Sequence, residues 1–303
     1  MRNTTSARPS SAVTESDLAA LTFLARYAGG TAKTHAAALR RFSDWYGRDL
    51  LAATRSDIEL YSHHLQEDEG LKRSTVYGYL SSLSTFFKLA LDDGRITRDP
   101  TVMVRRPKVH YDPDRLAGLS RHDMEKLFLH AATRSPKHVA LVTLLGALGL
   151  RASEAAAVRI EDFAGYHLGH RVLRLVGKGG KPATIPLPPL VFRILDQCAD
   201  GRTDGLLIAT RTGRQLTRHD VYRWVAVLGR QAGLGHVHPH MLRHAAASIA
   251  LDAGATIREV QDFGRWADIR MVERYDRNRQ NLDRHAAYKV GAHLSGIADR
   301  LTL

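Results

Sequence analysis

Cysteine is almost missing from this 303-residue chain: Cys198 stands alone, so no intramolecular disulfide can form and nothing calls for an oxidising compartment. Its neighbours Ile194, Leu195, Asp196 and Gln197 read as helix, which predicts a buried, inert thiol rather than a nucleophile. Long hydrophobic runs are missing too. The longest, residues 139–150, is too short to cross a bilayer and predicts a buried helix. The first ten residues are polar and carry no secretory pattern, so the expectation is a cytoplasmic protein with no membrane partner. The chain shows no internal repeat, no low-complexity tract and no carboxylate cluster spaced for a metal-dependent nuclease. Acidic residues are too few to balance the basic ones: 31 against 44, only nine of them lysine, for a net charge of +13 and a pI near 10.1. An excess of this size favours a polyanionic partner, nucleic acid first, although a merely soluble basic protein shows the same totals.

What is present suggests two domains. Hydrophobic residues are 44% and charged residues 25%, enough to bury real cores, and the length suits two of them. Residues 1–13, rich in Ser, Thr, Arg and Pro, predict a disordered N-terminus. Four helical patterns follow: Leu18, Leu21, Leu24 and Tyr27 after Ser16-Asp17 and up to Gly29-Gly30; Leu39, Phe42, Trp45 and Tyr46 up to Gly47; Ile58, Tyr61 and Leu65 after Ser56-Asp57; and Tyr77, Leu80, Leu83, Phe87 and Leu91 between Ser74 and Asp93-Gly94. These stripes read as core. Lys33, Arg40, Arg41, Lys72 and Arg73 on the polar backs are candidates for phosphate contact, although helix-back cations are more often simply solvated. Residues 99–116 carry prolines and basic residues without periodicity, including Arg105-Arg106-Pro107-Lys108, and predict an extended tether. Arg105, Arg106 and Lys108 join the candidate DNA contacts. The expected division is a helical DNA-binding domain over 14–104, a linker over 105–116 and a second domain over 117–303.

The second domain opens on a capping box, Ser120-x-x-Asp123. A buried helix follows over about residues 137–148, then a turn at Gly149 and a helix that Ser153 can cap. Residues 172–176 and 183–186 read as strands around Gly177-Lys178-Gly179-Gly180-Lys181. Thr217-x-x-Asp220 is a second capping box, a helix runs from near His240 to Gly254, and Leu282, Ala286, Val290, Leu294 and Ile297 form a last apolar stripe.

Five segments of this domain carry polar groups in unusual settings. Arg151, at the exit of an apolar helix, needs an anion, either Glu154 or a ligand phosphate. Lys178 sits at a glycine-rich tip that lets it reach forward, or else on an ordinary solvated turn. A P-loop is excluded there, because Lys181 is followed by Pro182 and a strand rather than a helix. His240 and Arg243 stand one turn apart. His240 and His244 have the spacing of a zinc pair but lack the Glu of H-E-x-x-H and a third ligand, so no metal is expected. Trp266 and Tyr275 would ordinarily be core, yet Glu273, Arg274, Asp276 and Arg277 make a polar setting for Tyr275.

Arg151, Lys178, His240-x-x-Arg243, Trp266 and Tyr275, in this order, resemble the catalytic set of the tyrosine recombinases, the phage integrase family, over nearly the whole chain. Leu148-Gly149-Leu150-Arg151-x-Ser153-Glu154 is similar to its first arginine box and His240-x-Leu242-Arg243-His244 to its second. The resemblance implies a mainly α fold, with a SAM-like core-binding domain ahead of a catalytic domain that holds a small β-hairpin. It implies Tyr275 as nucleophile, a 3′-phosphotyrosyl intermediate, no cofactor, metal or ATP, and a C-terminal docking helix. The partners it implies are double-stranded DNA bearing specific recombination sites and further copies of the chain in a tetrameric synapse, in a bacterial cytoplasm. Glu154 and His244 would support the site. One departure stands out: many members carry Leu-Gly-His where this chain has Gly264-Arg265-Trp266. Tryptophan also occurs there, in Cre-like members, but indole donates one hydrogen bond and shuttles no proton, leaving any base role to His240. With no extra arm-binding domain evident before Ser16, a simple Xer- or Cre-like system is expected. The rival readings are type IB topoisomerase-like relaxation and a catalytically silent DNA-binding protein.

Overall fold

Five helices begin on one device, a Ser or Thr hydroxyl accepting the N–H of an acidic residue three positions on, whose carboxylate accepts in return. Thr14 and Asp17 start α1 (Glu15–Ala25), and Thr54 and Asp57 start α3 (Arg55–Glu67). Ser120 and Asp123 start α5 (Arg121–Arg134), Thr217 and Asp220 start α9 (Arg218–Gln231), and Thr256 and Glu259 start α11 (Ile257–Gly264). Each reciprocal pair satisfies otherwise orphaned backbone donors and is worth ~1 kcal/mol. The computed structural model describes residues 13–108, 119–177 and 180–273, together with Ala287 and Val290. It is mainly α-helical with one three-stranded sheet, and it divides into two units, Met1–His110 and Tyr111–Leu303.

In the first unit α1, α2 (Gly29–Tyr46), α3 and α4 (Arg73–Asp92) pack around rings. Phe23, Phe42, Tyr61, Phe86 and Phe87 are all essentially inaccessible. They meet edge-on, Phe42 on Tyr61 at 5.0 Å and 63° and Phe86 on Phe87 at 5.1 Å and 68°, the geometry that ring quadrupoles favour. Several expectations change here. Leu18 and Leu21 are exposed, and α1 is anchored by Ala19 and Phe23, a four-residue step that the three-residue reading passed over. Tyr77 and Leu91 are likewise exposed on α4. Gly29 and Gly30 open α2 rather than only closing α1, and Thr54 rather than Ser56 caps α3. The aperiodic stretch does not become a tether at residue 99. Asp99, Thr101 and Val104 are buried in this unit, with the Asp99 carboxylate accepting from the Thr101 N–H and hydroxyl at 2.7 Å each.

The second unit is built around α6 (Pro136–Gly146), whose residues from Ala140 to Gly146 are all buried, as its apolar sequence requires. It packs against α5, α8 (Pro189–Ala199) and α10 (Pro239–Asp252). Cys198 is buried on α8, and burial pushes its thiol pKa up, so it is a poor nucleophile. The helix after Gly149 is α7 (Ala152–Ala157). Arg151, not Ser153, holds its cap position. Strands β2 (His170–Val176) and β3 (Pro182–Pro186) pair antiparallel, Val172 opposite Pro186 and Val176 opposite Pro182. A two-residue strand that the sequence reading did not anticipate, β1 (Tyr166–His167), pairs with the other edge of β2. The continuous described stretch ends in α12 (Arg270–Glu273). Among the described residues no helix is long and apolar enough to cross a membrane.

Candidate active site

Gly149 and Gly264 help to place the polar groups of the second unit. After α6 the backbone turns at Gly149, φ +60°, where a Cβ would come within 2.9 Å of Phe263. Two residues later Arg151 reaches the start of α7. Glu154, its side chain 4% exposed, accepts from the Arg151 N–H at 2.9 Å and from Arg151 Nη1 at 2.7 Å. Burial alone would raise the Glu154 pKa. The donors of Arg151 and the charge of Arg265 outweigh it, and the carboxyl sits below its usual range.

Arg243, 2% exposed on α10, donates from Nη1 to the Gly149 carbonyl and from Nη2 to the Gly264 carbonyl. Its Cζ lies 4.6 Å from the centroid of the Trp266 ring. A Cβ on Gly264 would overlap that ring, so glycine there lets the indole fold back under the arginine. Trp266 therefore packs on Arg243.

His240 and His244 lie on successive turns of α10 with ring centroids 5.8 Å apart. Burial, then the nearby Arg243, His238, Arg218 and Arg151, lowers the His240 pKa; His244 falls to about 4 through burial, His240 and Arg243. Both imidazoles are therefore neutral near pH 7, and a neutral imidazole can accept a proton. Among the described residues no group of three or more potential ligands surrounds the pair.

Arg151 forms part of the wall of two clefts. One, of about 320 Å³, is lined by Leu150, Ser153, Arg218, Tyr222 and His240; the other, of about 680 Å³, lies between α7 and the β2–β3 pair and includes Glu154, Arg174, Gly177 and Thr184. The structure thus brings together Arg151, Glu154, His240, Arg243, His244 and Trp266. It adds Arg265, whose Nη2 donates to Glu154 at 2.6 Å, and Arg218, neither of which the sequence reading singled out for a role. The only available signal for Arg265 was its departure from Leu-Gly-His. Lys178 and Tyr275 lie outside the described residues; the Gly177 N–H donates to the Lys181 carbonyl at 2.7 Å. Of the apolar stripe near the C-terminus only Val290 is described, and it is exposed.

In the first unit Lys33, Arg40, Lys72, Arg73, Arg105 and Lys108 are exposed. Arg41 is ion-paired to Glu69 and lies 5.5 Å from the Tyr79 ring centroid, and Arg106 lies 5.6 Å from that of Tyr77. A phosphate would have to compete with Glu69 for Arg41.

Comparison with known proteins gives a consistent picture. The phage integrase family model matches residues 118–281, and the model of the phage integrase N-terminal SAM-like domain matches residues 16–95. The chain is 28% identical over 234 residues to the tyrosine recombinase XerD of Listeria monocytogenes serotype 4b (strain F2365), covering 73% of this chain and 77% of that protein. It is 29% identical over 231 residues to the tyrosine recombinase XerC of Roseiflexus sp. (strain RS-1), covering 71% and 72%. In fold it is similar to the XerH site-specific recombinase bound to a palindromic difH substrate in a post-cleavage complex, with TM-score 0.68, 18% identity and coverage of 90% and 88%. It is also similar to a lambda integrase dimer bound to a COC′ core site, with TM-score 0.67, 20% identity and coverage of 84% and 95%.

Proposed function

The chain belongs to the phage integrase family and is a tyrosine-type site-specific DNA recombinase, and from that premise we propose that Tyr275 is its nucleophile, served by Arg151, Lys178, His240, Arg243 and Trp266. The observation that carries this reading is the convergence of Arg151 with His240 and Arg243, from two stretches of sequence almost ninety residues apart, around the turn at Gly149.

A phosphodiester repels nucleophiles, and attack builds further charge on its non-bridging oxygens. Forked guanidiniums meet that need because each stays protonated and binds two oxygens. The Tyr275 hydroxyl, with an ordinary pKa of about 10, must lose its proton as it attacks. Neutral His240 takes that proton. The bond from phosphorus to the Tyr275 oxygen forms, the bond to the 5′ oxygen breaks, and Lys178 protonates the leaving oxygen. The products are a 3′-phosphotyrosyl ester and a free 5′ hydroxyl. The ester keeps the bond energy, so a second 5′ hydroxyl reverses the step without ATP. Trp266 stacks on Arg243 and positions it. Residues 14–104 and 117–303 act as DNA-binding and catalytic domains joined by a linker over 105–116. Assembly is a tetramer on DNA, with the segment after Tyr275 docking between subunits, in the cytoplasm of a bacterium.

Covalent trapping tests the reading. The chain and a Tyr275→Phe variant are incubated with nicked suicide duplexes carrying candidate sites, in EDTA. A denaturant-resistant adduct with wild type alone is expected. An adduct retained by Tyr275→Phe would remove Tyr275 from its role, and an adduct that disappears with EDTA would remove the metal-free mechanism.

A further inference from the structure

Glu154 is shared between two arginines. Its Oε1 accepts from Arg151 Nη1 at 2.7 Å and its Oε2 from Arg265 Nη2 at 2.6 Å. A carboxylate paired with Arg151 alone would cancel the charge that Arg151 brings. With Arg265 alongside, two guanidiniums share one anion and the group stays positive. Arg243 also donates to the carbonyls of Gly149 and Gly264. Arg151 with Glu154 alone is neutral, whereas the trio with Arg265 carries one net positive charge. A phosphodiester carries one negative charge, and the five-coordinate species formed on attack carries two. The charge that Arg265 restores therefore favours the species formed on the way over the ground state.

Arg265 is also held where an arginine is not cheaply kept. It adopts φ 52° and ψ 46° at the end of α11, a left-handed conformation that favours glycine. Its side chain is only 18% exposed, and its Nε and Nη1 are buried without an acceptor among the described residues. Burial and the adjacent Arg151 both disfavour its charge, against the attraction of Glu154. Backbone strain and a buried, incompletely paired cation at one position, beside the phosphate site proposed above, call for a use of the side chain.

We propose that Arg265 is a positioning residue for strand cleavage, a third guanidinium that takes half of the Glu154 carboxylate and restores the positive charge Glu154 would otherwise remove from the phosphate pocket. This role rests on the function proposed above. Arg265 makes and breaks no bond: the proton still passes from Tyr275 to His240, and Lys178 still protonates the leaving oxygen.

The test uses the full chain and single-turnover adduct formation on two suicide duplexes, one with an ordinary scissile phosphate and one with a methylphosphonate that lacks the negative charge. Arg265→Gly suits the left-handed backbone and leaves Glu154 paired with Arg151, so the fold is expected to persist with an unchanged melting temperature. On the phosphate duplex Arg265→Gly is expected to form adduct ~10–100-fold more slowly than wild type at saturating DNA, with Arg265→Lys in between. On the methylphosphonate duplex the gap is expected to close to within about threefold, because the missing positive charge no longer has a negative one to meet. Wild-type rates for Arg265→Gly on phosphate would overturn the proposal, as would an equal deficit on both duplexes, which is the mark of a purely structural role. Absence of adduct from the wild-type chain on every duplex would instead remove the strand-cleavage reading itself, and this role with it.

Discussion

In the first unit the interior is made of rings, with Phe23, Phe42, Tyr61, Phe86 and Phe87 meeting edge to face, and its buried polar groups are a few serines with Asp99 and Thr101. In the second unit leucine, valine and alanine side chains surround Glu154, Asp220 and Arg243, all buried and all partnered. Rings satisfy one another by shape and quadrupole, so the first interior needs little from its backbone. Buried charges need directed partners, so the second uses main-chain carbonyls at two glycines and a shared carboxylate. The first interior is built for packing, and the second fixes charge at defined points.

Substitutions can break or sharpen this contrast. The largest effect is expected for Arg243→Ala, which removes a fork that both glycine carbonyls and the Trp266 ring hold in place. Adduct formation should fall by ~10²–10³-fold while the first unit keeps its amide protection. A near-normal rate would show that the buried charge serves stability alone. Phe42→Ala should act in the opposite sense, costing ~3–5 kcal/mol in the first unit by opening a cavity, read from denaturant unfolding and hydrogen exchange in α2–α4. If protection were lost equally around α10, the two interiors would not be independent.

A smaller effect concerns pH. His244 has a folded pKa of about 4 against an ordinary value of 6.5, so the unfolded chain binds more protons between those values. Stability is then complete above about pH 6.5 and declines as pH falls toward 4, by at most ~1.4 kcal/mol per pH unit for one proton. His244→Gln should flatten that slope in melts taken across the window, and an unchanged slope would assign it to other groups. The lowered His240 pKa likewise places the acid limb of the cleavage rate below pH 6.5. Smallest of all, Lys33→Ala and Arg40→Ala should each weaken DNA binding evenly across sequences and cut the salt slope by about 1, with cleavage per bound complex unchanged. No change in the slope would leave both as solvated cations.

Local features were readable from sequence and distant ones were not. Ser120 with Asp123 and Thr217 with Asp220 announce helix starts because the partners are three residues apart and the hydrogen bonds close within one turn. Arg151 was expected to need Glu154 or a phosphate for the same local reason. In α1 the three-residue steps of Leu18 and Leu21 suggested a core face, but α2 and α4 decide which face is covered, and they cover Ala19 and Phe23. Arg243 and the Gly149 carbonyl are 94 positions apart, and Glu154 and Arg265 are 111 apart. Such pairings exist only once the chain has folded, and no periodicity announces them.

The left-handed turn at Arg265 has an evolutionary side. Every arginine codon becomes a glycine codon by a single base change, and glycine is the residue this backbone conformation accepts most readily. The charge of the pocket can therefore be raised or lowered by one nucleotide without rebuilding a helix, a loop or a core. A lineage carrying this turn has a simple genetic dial for the pocket's charge, and its two settings share one backbone.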